Sequence, residues 1–382
     1  MNPEKFRNSN SGKVIHTQKG YWAFVPNPLP PDLQWSLAVV SALSEAARDL
    51  SRLNALASAF PFNQTLIMLF NRQEAVLSSR IEGTQASLVD LYSYEAGQLS
   101  FLEPVNDAPE VLNYVKALEY GLERVKTLPV SLRLIREIHA QLMENVHGGQ
   151  LTPGELRRSQ NWIGPAGSTL ENATYVPPPV EEMLDALDDM EKFIHMPSQI
   201  PALVRAALLH YQFEAIHPFL DGNGRMGRLL IILLLHEWNV LSHPLLTLSV
   251  YIEAQRHEYY ARLLEVSRRG AWEEWLLFFL TGVSNQAIND TTRLESLLNL
   301  RTDYQERVRT GRHQERLEQV LDLAFQRPIL NIRQAATTLQ IPYMTAERCI
   351  ERLVEMGILH EISGRARNRI YQANEILAII EK

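Results

Sequence analysis

The 382-residue sequence predicts a mainly α protein with one small β-hairpin and an α+β tail. Three observations carry this reading. Apolar residues recur three and four apart over most of the chain, which is the helical period. A single insert punctuated by glycine and proline, 161–182, holds the β-branched and aromatic run "ATYV". From about Gly311 the pattern reads helix, helix-turn-helix, then two strand-like runs.

Taken in order, the opening "YWAFVPNPLPPDLQW" carries Pro26, Pro28, Pro30 and Pro31, which deny it a helix and predict an extended arm lying on the body. Between Ser36 and Leu99, "LAVVSALSEAARDLSRLNALA" and "TLIMLFNRQEAVLSSRIEG" are amphipathic helices, with Gly83 suited to a C-cap. A break at "EPVNDAPE" precedes four further helical segments, "EVLNYVKALEYGLERV", "VSLRLIREIHAQLMENV", "VEEMLDALDDMEKFIHM" and "ALVRAALLHYQFEAI". The insert among them is expected to form a hairpin or extended flap at about 168–179. Next come "LLIILLLHEWNVL", "SVYIEAQRHEYYARLLEVSRRG" and "AWEEWLLFFLTGVSNQAINDTTRLESLLNLR", again helical. In the tail, "NIRQAATTLQIPYMTAERCIERLVEMGIL" predicts a short helix, a turn at "QIPY" and a longer helix starting near Thr345. Two strand-like runs around "SGRARN" complete the order of a winged-helix domain. The expected divisions are 1–110, 111–310 and 311–382.

Composition narrows the function classes. The chain is 46% hydrophobic and 21% charged, and no eighteen-residue apolar run reads as a membrane span. The start "MNPEKFRNSNSGK" lacks the apolar core of a secretory signal, so the expected address is the cytosol. A formal charge of −7 argues against a global nucleic-acid-binding field. Cys349, the lone cysteine, falls on an apolar helical pattern and reads as a core residue. The eleven histidines include no His-Glu-x-x-His pair.

One stretch breaks the helical pattern, "HPFLDGNGRMGR" from His217 to Arg228. A P-loop is excluded because Arg228 and Leu229 follow the second glycine, and helix rather than strand precedes. An EF-hand loop from Asp221 is excluded by Arg225, Met226 and Ile232 at required positions. What remains is a turn feeding a helix, whose first N–H groups, widened by glycines, form an anion site. Arg225 and Arg228, one helical turn apart, suit bidentate phosphate contacts. Asp221 beside an anion makes sense with a Mg²⁺ ion between them. His217 is the nearby side chain fitted to accept a proton near neutral pH. The constellation predicts nucleotide phosphate chemistry.

These residues resemble the signature of the Fic (filamentation induced by cAMP) domain, His-Pro-Phe-x-Asp/Glu-Gly-Asn-Gly-Arg-x-x-Arg, at every fixed position. The likeness extends to "PGELRRSQNWIG", the "ATYVPPP" flap, the "YWAFVPNPLPP" opening and the winged-helix tail. It implies a Fic-type helical bundle that transfers AMP from ATP, with Mg²⁺, to a hydroxyl side chain of a protein. Carried over by position, His217 is the general base and Asp221 the metal ligand. Gly222, Asn223 and Gly224 line the cradle, Arg225 and Arg228 grip the β- and γ-phosphates, and Gly227 also contacts ATP. Thr174, Tyr175 and Val176 would dock an extended target segment by strand addition. Gln255, Tyr259 or Tyr260 would lie near the adenine, although the tyrosines read equally as core.

A second likeness is "SSRIEG", Ser78 to Gly83, which is similar to the family's inhibitory motif. It implies that Glu82, four residues from Ser78 on one helical face, pairs with Arg228 and displaces the γ-phosphate. Glu82 thereby counts among the ATP-site residues. The same glutamate in some relatives serves AMP removal, so a bifunctional or mainly de-AMPylating enzyme is the alternative, alongside transfer of UMP, phosphate or phosphocholine. From another class, the tail could make this a DNA-binding regulator with a nucleotide-sensing domain. Residues His313 to Lys382 carry nine basic and nine acidic side chains, which favours protein contacts over DNA. The resemblance also implies a homodimer.

Overall fold

Backbone-restricting residues set the helix boundaries. A computed structural model describes residues 1–6, 9–59, 63–97, 107–145, 152–309, 314–365 and 367–382. The elements in order are β1 (Gly12–His16), β2 (Trp22–Pro26), α1 (Leu37–Ser58), α2 (Asn63–Ile81), α3 (Leu88–Glu95), α4 (Ala108–Arg124), α5 (Leu132–Leu142), α6 (Val180–His195), α7 (Ala202–Ile216) and α8 (Asn223–Glu237). They continue with α9 (Leu248–Ala254), α10 (Arg256–Arg269), α11 (Trp272–Val308), α12 (Gln314–Gln326), β3 (Ile329–Asn331), α13 (Ile332–Leu339), α14 (Tyr343–Glu355), β4 (His360–Glu361), β5 (Ile370–Gln372) and α15 (Asn374–Ile380). The expected break at 103–106 and the change of character at 311–313 lie outside the described residues.

The chain forms two compact units. The first comprises Met1–Ser51, Asn113–Ser242 and Leu248–Gln286; the second comprises Arg52–Leu112, His243–Thr247 and Ala287–Lys382.

In the first unit, α7 is apolar almost all round and is buried along its length, which makes it the central helix. It packs against α8, and α6 and α10 flank it. Polar side chains fix these contacts. Trp275 Nε1 donates to Ala207 O at 3.0 Å, and Tyr211 and Ser267 share a 2.9 Å hydroxyl bond. The N-terminal arm is extended and more regular than its prolines suggest, since β1 and β2 pair antiparallel from Gly12↔Pro26 to His16↔Trp22. β2 lies on α6 and α7, with Phe24 fully buried.

The flap is a narrow hairpin held by one antiparallel bridge, Ile163 with Tyr175, closed by turns between Pro165 and Ala173. "SVYIEAQRHEYYARLLEVSRRG" is two helices rather than one, because Gln255 leaves the helical region at φ −120°, ψ 32° and heads α10.

In the second unit, α2 packs against α3, α12 and α15. The tail runs α12, β3, α13, α14, β4, β5, with strand order β3-β5-β4. Two features differ from expectation. A third strand, β3, pairs with β5 from Ile329↔Gln372 to Asn331↔Ile370, in a run too short for periodicity to reveal. α14 begins at Tyr343 with Pro342 in the cap position, two residues before Thr345, because a proline with φ −58° is already set for helix entry. Asn331 and Gln334 form a reciprocal capping box on α13, and their amides also reach Ala96 O and Glu95 O at 3.0 and 2.7 Å. Cys349 is buried on α14. Among the described residues, no helix is long and apolar enough to cross a membrane.

Candidate active site

α7 ends at Ile216, and His217 caps it in the left-handed conformation, φ 50° and ψ 61°, with its amide bonded to Phe213 O at 2.9 Å. This is unusual, since few non-glycine residues adopt positive φ and a residue before proline prefers extended backbone. Such strain costs on the order of 1–3 kcal/mol and persists only where surrounding contacts over-determine it. Those contacts are present. Arg157, 1% exposed, donates from Nε to His217 O at 3.0 Å, and its amide donates to Pro218 O at 2.9 Å. Asn161 Nδ2 reaches Phe219 O at 2.8 Å. Asn223 turns back on the loop, with Oδ1 accepting from Phe219 N and Nδ2 donating to Phe219 O, both at 2.9 Å.

The far end of the loop is held by His139 of α5. Gly154 N donates to its Nδ1 at 2.9 Å, so the proton sits on Nε2, which donates to Asp221 O at 3.0 Å. Its ring stacks on Phe219 with centroids 3.7 Å apart. Burial pushes the His139 imidazole down to about 4, so it is neutral at pH 7 and adds no charge beside the loop. Burial also lowers the Arg157 guanidinium, to about 10, which leaves it charged at neutral pH.

Gly222, at φ 75°, is the N-cap of α8 and contributes no side-chain bond. A Cβ there would lie 2.7 Å from Met143 Sδ and 3.3 Å from His139 Nε2, so glycine is required by both conformation and space. The first-turn amides of α8, from Asn223, Gly224 and Arg225, therefore open on a loop with no capping side chain from Gly222. Arg225 and Arg228 are both buried on α8, and Arg225 Nη2 lies 3.9 Å from Asp221 Oδ1. The Asp221 side chain is about half exposed, at 45%, with Oδ1 also accepting from Gly222 N at 2.6 Å.

The structure thus brings His217, Asp221, Gly222, Asn223, Gly224, Arg225 and Arg228 into one loop and helix start. The Asn223 side chain is committed to Phe219, which leaves its backbone amide for the expected cradle. Gly227 faces α7, where a Cβ would meet Glu214 Oε1, His210 Cε1 and Phe213 Cδ1, so its missing side chain serves helix packing.

In the flap, Thr174 is exposed, whereas Tyr175 and Val176 are buried. Tyr175 donates its hydroxyl to Ala215 O at 2.8 Å, and its backbone pairs with Ile163. The carbonyl of Val176 accepts from Phe24 N at 2.9 Å, so β2 already occupies that point of the strand edge.

Of the residues expected near the adenine, Tyr259 is fully buried among His210, Trp275 and Phe278. Its hydroxyl donates to His210 Nε2 at 2.8 Å, while Nδ1 donates to Gly227 O at 3.1 Å, a polarity fixed by the carbonyl. Burial pushes His210 down to about 3, so the ring is neutral. Tyr259 is therefore a core residue. Tyr260 is 40% exposed and lies under Arg256, and Gln255 is half-buried at the head of α10. Replacing Tyr259 with phenylalanine leaves the buried His210 acceptor without this donor, for an expected loss of about 1–3 kcal/mol in denaturant unfolding.

In the second unit, α2 carries Ser78, fully buried, and stops at Ile81. Glu82 lies in the closing turn, exposed, with its amide bonded to Ser79 O at 3.0 Å, and Gly83 completes the turn at φ 109°. Ser78 and Glu82 are therefore not both within the helix, because the turn tightens as it closes on glycine.

Sequence reasoning did not single out His139, Arg157, Asn161 or Met143. The signal for His139 was present, since it falls on the apolar face with Ile135, Ile138 and Leu142. Arg157 was hidden by its neighbour, because "RR" does not say which arginine turns inward.

Fold and loop together define a helical protein whose turn between two central helices is shaped for an anion, with an imidazole at one end. Models of the Fic/DOC family N-terminal region and of the Fic/DOC family match residues 40–123 and 129–235. The chain belongs to the Fic/DOC family. It is 28% identical over 169 residues to the protein adenylyltransferase Fic of Drosophila virilis, covering 44% of this chain and 31% of that protein. The Drosophila erecta counterpart is 27% identical over 169 residues, covering 44% and 30%. The match thus spans under a third of these relatives. Among solved structures, a Fic family protein from Desulfovibrio desulfuricans G20 aligns with a TM-score of 0.56 at 18% identity, over 90% of this chain and 98% of that one. Fic-1 from C. elegans aligns at 0.51 and 22%, over 69% and 73%. Both share the fold.

Proposed function

We propose that this chain is a protein adenylyltransferase, transferring AMP from ATP to a Ser, Thr or Tyr hydroxyl of a target protein and restrained by Glu82. The observation that carries the reading is the start of α8, which has no side-chain cap from Gly222, six residues after His217 and backed by the buried Arg225 and Arg228. The name of the Drosophila relatives supports it.

In this reading the triphosphate lies against the amides of Asn223, Gly224 and Arg225, and the two guanidinium groups hold its outer phosphates. His217 takes the proton of the target hydroxyl as its oxygen bonds to the α-phosphorus. The bond between that phosphorus and the α,β-bridging oxygen breaks, and pyrophosphate leaves with both bonding electrons. Positioning and charge neutralisation do most of the work. Asp221 fits a Mg²⁺ ligand, being a half-exposed carboxylate beside the anion site, and such an ion commonly takes one or two carboxylates with phosphate oxygens and water. Among the described residues no group of three or more ligating side chains occurs, so phosphates and water would complete its shell. When bound, Mg²⁺ neutralises phosphate charge.

In this reading 1–110 is the regulatory segment, 111–310 the catalytic domain with its flap, and 311–382 a winged-helix domain. The tail, read as a winged helix, is assigned to protein contacts, with a second copy of the chain or with the target. The observation favouring this over DNA is that α14 presents Glu347 and Glu351 to Arg369 of the hairpin, at 3.2 and 3.4 Å, which neutralises the presumed reading face.

The test is retention of label by proteins of a cell lysate incubated with the Glu82→Gly chain. Label from [α-³²P]ATP is expected to remain on protein, and label from [γ-³²P]ATP is not. Retention from the γ position only would replace AMP transfer with phosphoryl transfer.

A further inference from the structure

We propose that Arg157 is a positioning residue that fastens the backbone of His217 to the base of the flap, so that base and docking strand hold one geometry. The inference rests on the roles given to His217 and the flap above.

Arg157 donates to four backbone carbonyls. Nε binds His217 O at 3.0 Å, Nη1 binds Ser159 O at 3.3 Å, and Nη2 binds Pro178 O at 2.5 Å and Ile216 O at 3.5 Å. Its own amide adds the bond to Pro218 O. One buried side chain therefore grips the carbonyls of Ile216 and of the left-handed His217, together with that of Pro178, which directly continues the flap strand. Further ties between the same two segments are the Tyr175 hydroxyl on Ala215 O and Asn161 Nδ2 on His217 O at 3.4 Å.

Only a planar fork with donors in fixed directions spans these acceptors; an ammonium is a point donor and cannot reach both segments at once. The start of α8 has separate anchors, His139 on Asp221 O and Asn223 on Phe219. Loss of Arg157 is therefore expected to disturb attack geometry and target docking while sparing nucleotide affinity. Arg158 provides the control, with its side chain 87% exposed and paired with Glu155.

The test compares Arg157→Lys, Arg157→Ala and Arg158→Met by hydrogen exchange. Both Arg157 variants are expected to speed exchange by at least about tenfold in two places together, at Ile216, His217 and Phe219 and at Tyr175 and Val176. Added guanidinium ion is expected to slow it again in Arg157→Ala, and Arg158→Met to match the wild type. Acceleration confined to one segment, or spread through α7 and α8, overturns the proposal.

In the Glu82→Gly background, labelling from [α-³²P]ATP is expected to fall at least about tenfold with the Kd of α,β-methylene-ATP unchanged. An unaltered rate, or an equal loss of nucleotide affinity, overturns it. If the Glu82→Gly parent itself transfers nothing, the functional reading fails, while hydrogen exchange still decides the role of Arg157.

Discussion

His217→Ala is expected to lower the rate of AMP transfer by roughly a hundred- to ten-thousand-fold, the usual worth of a positioned base, with the Kd for ATP unchanged. The separation follows from where each group sits. His217 caps α7, whereas the amides proposed to meet phosphate and both arginines belong to α8. The intervening loop is tied down by backbone bonds from Arg157, Asn161, Asn223 and His139, none of which involves the His217 side chain. Truncation keeps the Cβ, so the left-handed strain stays and the same backbone ties must hold it. The measurement is label incorporation from [α-³²P]ATP in the Glu82→Gly background, beside calorimetric titration with α,β-methylene-ATP. A His217→Ala variant that labels as fast as its parent removes the histidine from the chemistry. Equal losses of rate and affinity would instead make it a binding residue.

How much of this site was legible in the sequence depended on whether its parts are contiguous. His217 to Arg228 is one run, and the incompatibility of its glycines with a helix interior is enough to mark a turn there. Helix existence was equally legible where the apolar pattern is long, as in α1, α2, α4 and α11, whereas α9 and α10 read as one helix. Boundaries were less so. Pro342 can enter a helix without a side-chain cap, and the search for a capping hydroxyl pointed to Thr345 instead.

The loop's supports were not legible, since most arrive from segments more than fifty residues away and act through backbone carbonyls, which carry no sequence signature. Tyr259 illustrates a related limit. Spacing places it on α10 but cannot distinguish a ring that meets a nucleotide from one that meets His210. The same holds for Val176, whose strand edge looks open to a target segment in the sequence but is met by β2 at its carbonyl.

Glu82→Gly is expected to raise the initial rate of AMP transfer on the order of a hundredfold, the scale that a misplacement of about 1 Å in a reacting group can cost. The proposed cause is competition for Arg228. In the proposed reading, a carboxylate on that guanidinium would remove donors from the γ-phosphate and set a like charge beside it, so that ATP would bind with its α-phosphate out of line. Local geometry favours a clean substitution. Glu82 lies past the last residue of α2, in an exposed turn that Gly83 already closes, so a second glycine removes the carboxylate without opening the helix. α2 itself stays fixed within its unit by α3, α12 and α15, and by the buried pair Arg72 and Glu95 at 2.9 Å.

Two controls separate the brake from the other use of such a glutamate, activation of water for AMP removal. The first measures the initial rate of transfer before product accumulates. The second follows release of AMP from pre-labelled protein by the wild type. A faster initial rate with no wild-type release supports the brake. An unchanged initial rate with rapid wild-type release assigns Glu82 to hydrolysis and ends the autoinhibition argument.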